Sequence, residues 1–174
     1  AHCNNAACTS ATTTAVDTTG SVGYDTSITI GDDGLPIISY HDATNSDAKV
    51  AHCNDIACTS ATTTIVDNVD MVGRYTSITI GADGLPVISY GYHNSDWTNF
   101  DLKLTHCNDA ACTSATATYL DTVDDVGLYT SITIGTDSLP TISYHDTTNL
   151  DLKVTHCSTP SCVPFRVYLP FVNR

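Results

Sequence analysis

The segment Thr76–Ile80 (TSITI) alternates Ile with Ser or Thr, the period-two pattern of a strand with two distinct faces. The turn Gly81-Ala82-Asp83-Gly84 follows, and its Asp-Gly pair predicts a hairpin. A second run, Pro86–Tyr90 (PVISY), opens on a proline, where a strand tolerates the missing N–H. A third run covers Asp101–Cys107 (DLKLTHC) and a fourth Thr113–Asp121 (TSATATYLD). These strands lack the rows of Lys or Glu that a solvent-facing sheet carries, so both faces are expected to pack against a neighbour.

The same pattern recurs along the chain. Cys3, Cys53, Cys107 and Cys157 open successive copies at offsets of 50, 54 and 50 residues, and Ser27, Ser77 and Ser131 repeat the 50 and 54. Near-identical units of this length stack to bury faces that none could bury alone. Four antiparallel strands in roughly 50 residues have the size of one β-propeller blade. The expected architecture is therefore all-β, with blades of four antiparallel strands and about three and a half blades in the chain. The divisions are a partial blade of outer strands at 1–26, blades at 27–76 and 77–130, and a last blade at 131–174. The ending Val163–Arg174 breaks the pattern and is the most apolar segment; it reads as a capping or docking strand, or as the last outer strand. A propeller protects its strand edges by closing into a ring. A non-integral blade count thus predicts association between copies, as a closed ring or a head-to-tail filament.

Composition narrows the class. All 19 acidic residues are Asp, Glu and Gln are absent, and Lys occurs only at positions 49, 103 and 153, so helix formers are scarce while Thr, Ile, Val and Tyr are plentiful. A formal charge of −13 argues against nucleic acid and against anionic membrane surfaces. No apolar run approaches the ~20 residues of a membrane span. The sequence shows no signal peptide, and Ala1 falls inside a repeat, as expected of a fragment or a matured product. No Asn-x-Ser/Thr sequon occurs.

The eight cysteines form four C-x4-C pairs: Cys3/Cys8, Cys53/Cys58, Cys107/Cys112 and Cys157/Cys162. A strand enters and a strand leaves each turn-rich pair, which places the sulfurs on opposing strands below a hairpin loop and predicts a disulfide. Together with the Asp-Gly turns, the four hairpins are expected to form one uniform rim of the stack. The competing reading is metal binding through His2, His52, His106 and His156, each preceding a first Cys. That set offers three ligands where structural zinc takes four. Disulfides place the protein outside the cell or on its surface.

The pattern S-I-T-I-G-x-D-G-L-P-x-I-S-Y, with D-L-K-V beyond it, spans Ser27–Tyr40, Ser77–Tyr90 and Ser131–Tyr144 and the strands that follow. It resembles the blade repeats of secreted bacterial β-propellers, similar to the Asp-box and sialidase-like group. The third copy departs at Ser138, where the earlier turns have Gly34 and Gly84, and the strict S-x-D-x-G-x-x-W box is not present. The resemblance implies the fold and assigns no activity.

Candidate chemistry falls on the loops between second and third strands, which share one face with the connections between blades. Tyr40, His41, Asp42, Tyr92, His93, Trp97, Tyr144, His145 and Asp146 combine planar rings with polar partners, a set suited to sugars. The bland alternative is that Tyr and Asp end strands and satisfy turns. No cofactor is expected; calcium is the one ion the Asp-rich loops leave open, though no D-x-D-x-D loop occurs. The chain is expected not to be an enzyme. A single Arg (Arg74) lies within a blade, no G-x-S-x-G elbow is present, and repetition disfavours an asymmetric active site. The expected function is that of an extracellular structural or adhesive repeat protein, with copies of itself as partners. A lectin-like, glycan-binding propeller module is the alternative.

Overall fold

The computed structural model describes residues 1–96 and 99–163. They form thirteen strands and no helix. Strands β1 (His2–Cys3) and β2 (Ala11–Thr12) make a two-stranded ladder. Strands β3 (Val22–Ile30), β4 (Pro36–Asp42), β5 (Asp47–Cys53) and β6 (Ala61–Asp67) form an antiparallel meander. The next meander is β7 (Met71–Ile80), β8 (Pro86–His93), β9 (Phe100–Cys107) and β10 (Ala115–Asp121). The last sheet holds β11 (Leu128–Ile134), β12 (Pro140–Asp146) and β13 (Asp151–His156). The ending from residue 164 and Trp97 lie outside the described residues.

The sheets stack face to face, and the core lies between them. Ile37, Ala48 and Val50 of the β3–β6 sheet meet Val72, Ile78, Ile88 and Tyr90 of the β7–β10 sheet. One repeat further on, Val87, Leu102 and Leu104 meet Val126, Ile132, Ile142 and Tyr144. Each sheet thus gives its second and third strands to the following neighbour and its first and second to the preceding one. This is why neither face carries rows of Lys or Glu.

The first strands lie side by side. The Thr76 hydroxyl donates to the Asp25 carbonyl at 2.7 Å, and Thr130 repeats the bond to Tyr75 at 2.8 Å. Ser27 Oγ accepts the Ile78 N–H and Ser77 Oγ accepts the Ile132 N–H, both at 3.2 Å. The small residues of TSITI therefore bond across sheets as well as pack. These strands also begin earlier than the alternation shows, because register slips at Val72/Arg74 and Arg74/Ser77 break the period of two. Gly73 sits at the first slip with φ +89°, where a Cβ would stand 2.7 Å from Ala48 Cα.

Four disulfides close the expected hairpins, joining Cys3 to Cys8, Cys53 to Cys58, Cys107 to Cys112 and Cys157 to Cys162, each with Cα atoms 4.9 Å apart. The pairing matches the spacing, but the expectation of a uniform rim does not hold. Cys107 and Cys112 are fully buried and belong to the core between the β3–β6 and β7–β10 sheets, with Ile37 and Ile88. Cys157 and Cys162 join the next core cluster, whereas Cys3 and Cys8 are exposed. The reason is position in the stack: a hairpin sulfur is covered only where a neighbouring sheet reaches it. The second cysteine of each pair also turns the chain in the left-handed region, with φ of 51° at Cys8, 54° at Cys58, 55° at Cys112 and 53° at Cys162. The disulfides point to an oxidising, extracellular compartment. No helix among the described residues is long and apolar enough to cross a membrane.

Three of the histidines ahead of the first cysteines meet carboxylates. His52 Nε2 lies 2.8 Å from Asp33, His106 2.9 Å from Asp83 and His156 2.8 Å from Asp137, which ties the third strand to the first hairpin turn.

Candidate functional site

Each sheet is fastened to the one before it by an ion cluster. Asp17, Asp67 and Asp121 end the fourth-strand segments, and each carboxylate reaches a Tyr and a Lys of the following sheet. Asp17 accepts from the Tyr40 hydroxyl at 2.7 Å and pairs with Lys49 at 2.5 Å. Asp67 accepts from Tyr90 at 2.6 Å and pairs with Lys103. Asp121 accepts from Tyr144 at 2.7 Å and pairs with Lys153 at 2.6 Å. Burial pushes the Asp17 carboxyl up, but the Lys49 ammonium, the Thr19 N–H and the Tyr40 hydroxyl outweigh it and hold the group at about 2. Burial, with the Asp67 charge beside it, pushes the Tyr90 hydroxyl well up, so it stays a donor.

These contacts account for two of the predicted ligand-binding tyrosines, Tyr40 and Tyr144, whose hydroxyls point into the sheet interface. The buried His41 places Nδ1 2.9 Å from the Val72 carbonyl, also across the interface, and donates to it; burial lowers its pKa. Asp42 and Asp146 are buried and hold the turns beyond β4 and β12. Asp42 accepts from the Thr44 and Asn45 N–H groups at 2.9 and 3.2 Å, and Asp146 from the Asn149 N–H at 2.9 Å. Tyr92 is half-buried, its hydroxyl 3.4 Å from Asp70 and its ring edge-on to Tyr119 at 5.4 Å, with Lys103 Nζ 4.7 Å from the Tyr119 ring. His93 is buried against Phe100, with ring centroids 5.4 Å apart. His145 is half-buried, and its Nδ1, inaccessible to solvent, finds no hydrogen-bond partner among the described residues. Trp97 lies outside them. The predicted set is therefore spread over successive sheet interfaces and turns.

The clamp of Asp17, Asp67 and Asp121 with their lysines is absent from the sequence reading as a unit. Its signal is in the sequence nonetheless: the only three lysines stand at one repeat position, 54 and 50 residues apart, and the three aspartates stand at another, 50 and 54 apart.

A second cluster lies where β3, β7 and β11 begin. Asp25, Tyr75 and Tyr129 occupy equivalent positions in the left-handed region, with φ of 51°, 55° and 54°. Tyr24, Arg74 and Leu128 precede them, so the bulge position differs from copy to copy within an otherwise repeated strand. The Tyr75 and Tyr129 rings lie 4.5 Å apart, and Tyr129 lies 6.3 Å from His145. Among the described residues no three His, Cys or Asp side chains gather as metal ligands.

Four-stranded meanders stacked face to face, with their first strands side by side, define a partial β-propeller. No protein-family model matches the chain, and no curated protein matches it in sequence. Solved propellers do match in structure. An α-L-arabinofuranosidase from Fusarium graminearum aligns with a TM-score of 0.59 at 12% identity, over 82% of this chain and 46% of its own. An α-L-arabinanase from Penicillium chrysogenum, complexed with arabinobiose, aligns at 0.59 and 10% identity over 83% and 47%. An α-L-arabinofuranosidase from Lactobacillus brevis aligns at 0.57 and 10% over 79% and 50%. The chain spans about half the length of the structures it matches.

The expectation that the chain is not an enzyme is overturned here. It rests on the single arginine within a blade, the missing nucleophile elbow and the repetition of the blades, yet the solved propellers the chain resembles are an α-L-arabinanase and two α-L-arabinofuranosidases. The repeated residues build the scaffold, and positions that differ between copies, such as Tyr24, Arg74 and Leu128, make the blades unlike one another. Repetition gives no ground for excluding catalysis.

Proposed function

We propose that this chain is an extracellular structural repeat protein that assembles with copies of itself through its two terminal sheets. One observation carries the reading. Ile78 and Ile132 are 6% and 8% exposed in the internal interfaces, whereas the equivalent Ile28 is 64% exposed. At the other end Leu152 is 78% exposed where its equivalent Leu102 is fully buried. The two ends thus display the two halves of the interface that the interior already contains. Burying a side chain of this size contributes roughly 1.5–3 kcal/mol, so Ile28, Ile30, Leu152 and Val154 together give on the order of 10 kcal/mol. That is comparable with the roughly 4–15 kcal/mol that association costs, which makes assembly dependent on concentration. The test is solution mass by light scattering over a dilution series, with electron microscopy of the same sample. Particles larger than one chain that dissociate on dilution, and that Ile28→Asp abolishes, are expected. A single-chain mass at every concentration overturns the reading.

A second reading is carbohydrate binding on the loop face. Asp25, Arg74, Tyr75 and Tyr129 lie near one another where β3, β7 and β11 begin, which supplies rings and charged groups of the kind sugars meet, and the fold is that of an α-L-arabinanase solved with arabinobiose. Calorimetric titration with arabinobiose tests it. Heat that Tyr129→Ala removes supports this reading, and no heat at millimolar sugar sinks it for this ligand.

A further inference from the structure

Among the described residues the last sheet has three strands, β11, β12 and β13, and no fourth. At the other end of the chain, residues 11–17 occupy a fourth-strand position without a sheet of their own. The clamp shows this, because Asp17 holds Tyr40 and Lys49 as Asp67 holds Tyr90 and Lys103. Between this segment and the β3–β6 sheet lies a cavity of about 280 Å³ whose lining includes Thr12, Thr14, Val16, Ile28, Ile30 and Ile38. Ile28 and Ile38 stand where Ile78 and Ile88 meet the preceding sheet in the interior. The cavity therefore opens on the face where, in the interior, a preceding sheet packs.

We infer that the occupant is the β11–β13 sheet of a second copy, completed by residues 11–17 of the first as its fourth strand. The inference rests on the self-assembly proposed above and specifies its joint. Among the described residues, three strands from one copy and one from the next make a full blade.

The exposed groups at the two ends match in kind and position. Leu152 and Val154 take the places that Leu102 and Leu104 fill against the following sheet, and Val22, Ile28 and Ile38 receive them as Val126, Ile132 and Ile142 do. The polar pairs match too. Ser39 Oγ lies 2.8 Å from Thr76 Oγ1 and Ser89 Oγ lies 2.8 Å from Thr130 Oγ1, which brings Ser143 of one copy to Thr26 of the other. His41 Nδ1 bonds the Val72 carbonyl, so His145 Nδ1, without a partner among the described residues, meets the Val22 carbonyl. The β5–β6 register pairs Lys49 with Ile65 and Val50 with Thr64, which sets Lys153 against Ala15 and Val154 against Thr14. Among the described residues 13–17 have no ladder partner, so this edge is open. The Cys3–Cys8 and Cys157–Cys162 hairpins reach the same end of the shared blade, so one of them swings aside with its disulfide intact.

The joint is tested with Thr26→Cys and Ser143→Cys, made singly in the full chain, mixed, air-oxidised and run without reductant. Their internal equivalents are a hydroxyl pair at 2.8 Å, so a covalent product joining one chain of each variant is expected, with neither variant alone giving it. With both substitutions in one chain, a two-chain species marks a closed ring and a ladder an open array, and both contain the proposed joint. Ser39→Cys combined with Thr76→Cys is the positive control, because this internal pair must cross-link within one chain. Assembled particles that fail to cross-link at Thr26 and Ser143 overturn the joint and leave self-assembly standing. Single chains by light scattering overturn both.

Discussion

The β7–β10 sheet is covered on both faces by neighbouring sheets, whereas among the described residues the β11–β13 sheet is covered on one. The same repeat positions behave differently in the two. Leu102 is fully buried and Leu152 is 78% exposed; Lys103 retains 3% of its side-chain exposure and Lys153 31%. The sequences of β9 and β13 differ at few positions, DLKLTH against DLKVTH, so the contrast comes from what lies on the far side. Burial here is a property of the stack. A blade repeat encodes two half-interfaces, and only a neighbour turns either of them into a core.

The clamp breaks this comparison most sharply. Asp67→Ala leaves the Lys103 ammonium in a site that excludes water, where removing one partner of a buried pair costs about 3–5 kcal/mol. Asp121→Ala leaves Lys153 with access to solvent, and its cost is expected at about 1 kcal/mol. Urea denaturation of the two variants measures the difference. Equal losses would mean that the last sheet is as closed as the central one.

The fold was legible because its determinants are local and repeated. Alternation in TSITI, the Asp-Gly turns and the C-x4-C hairpins each specify a strand or its end, and the 50- and 54-residue offsets multiply one reading into a stack. The early halves of β3, β7 and β11 were not legible, since Asp25, Tyr75 and Tyr129 take a left-handed conformation that alternation cannot reveal. The spacing of Cys107 and Cys112 names their bond but not their burial, which depends on the neighbouring sheet. The site was less legible than the fold. Tyr40 and Tyr144 carry the chemistry expected of a sugar contact, but which face of a strand meets the next sheet is a tertiary fact. The partners that claim their hydroxyls, Asp17 and Asp121, lie 23 residues upstream of each. Nothing in the local pattern of PIISY or PTISY names them.

Packing sharpens the comparison next. Leu102→Ala opens a cavity between the β7–β10 and β11–β13 sheets and is expected to cost about 3 kcal/mol, within the range for a buried leucine. Leu152→Ala removes a side chain largely in water and should change the stability of dilute chains by no more than about 0.5 kcal/mol. The pair separates folding from assembly. At concentrations where particles form, Leu152→Ala should shift the mass toward single chains while its dilute stability stays at that of the parent. A large loss in dilute chains from Leu152→Ala would show that this face is already covered within one chain.

Acid gives a smaller effect than either substitution at a fully buried position, and it addresses the segment whose place in the stack is least conventional. Asp17 reaches the β3–β6 sheet from a segment that has only the β1–β2 ladder behind it, and its carboxyl is held at about 2, below the ordinary value of 3.8. A carboxyl depressed on folding contributes stability that is complete above its unfolded value and is lost as the pH falls through its folded value. The relevant window runs from about pH 5 down to about pH 2. Water screens the pair at this open edge, so the loss over that window is expected at about 1 kcal/mol, roughly half of what the full shift would give. Asp17→Asn lacks the carboxyl, so the parent should lose about 1 kcal/mol more than the variant, measured by urea midpoints at each pH. Parallel losses in the two proteins would mean that Asp17 does not hold Lys49 and Tyr40 in solution. Residues 11–17 would then be loose at the edge of β3–β6, and the open groove beside them would have no fixed wall.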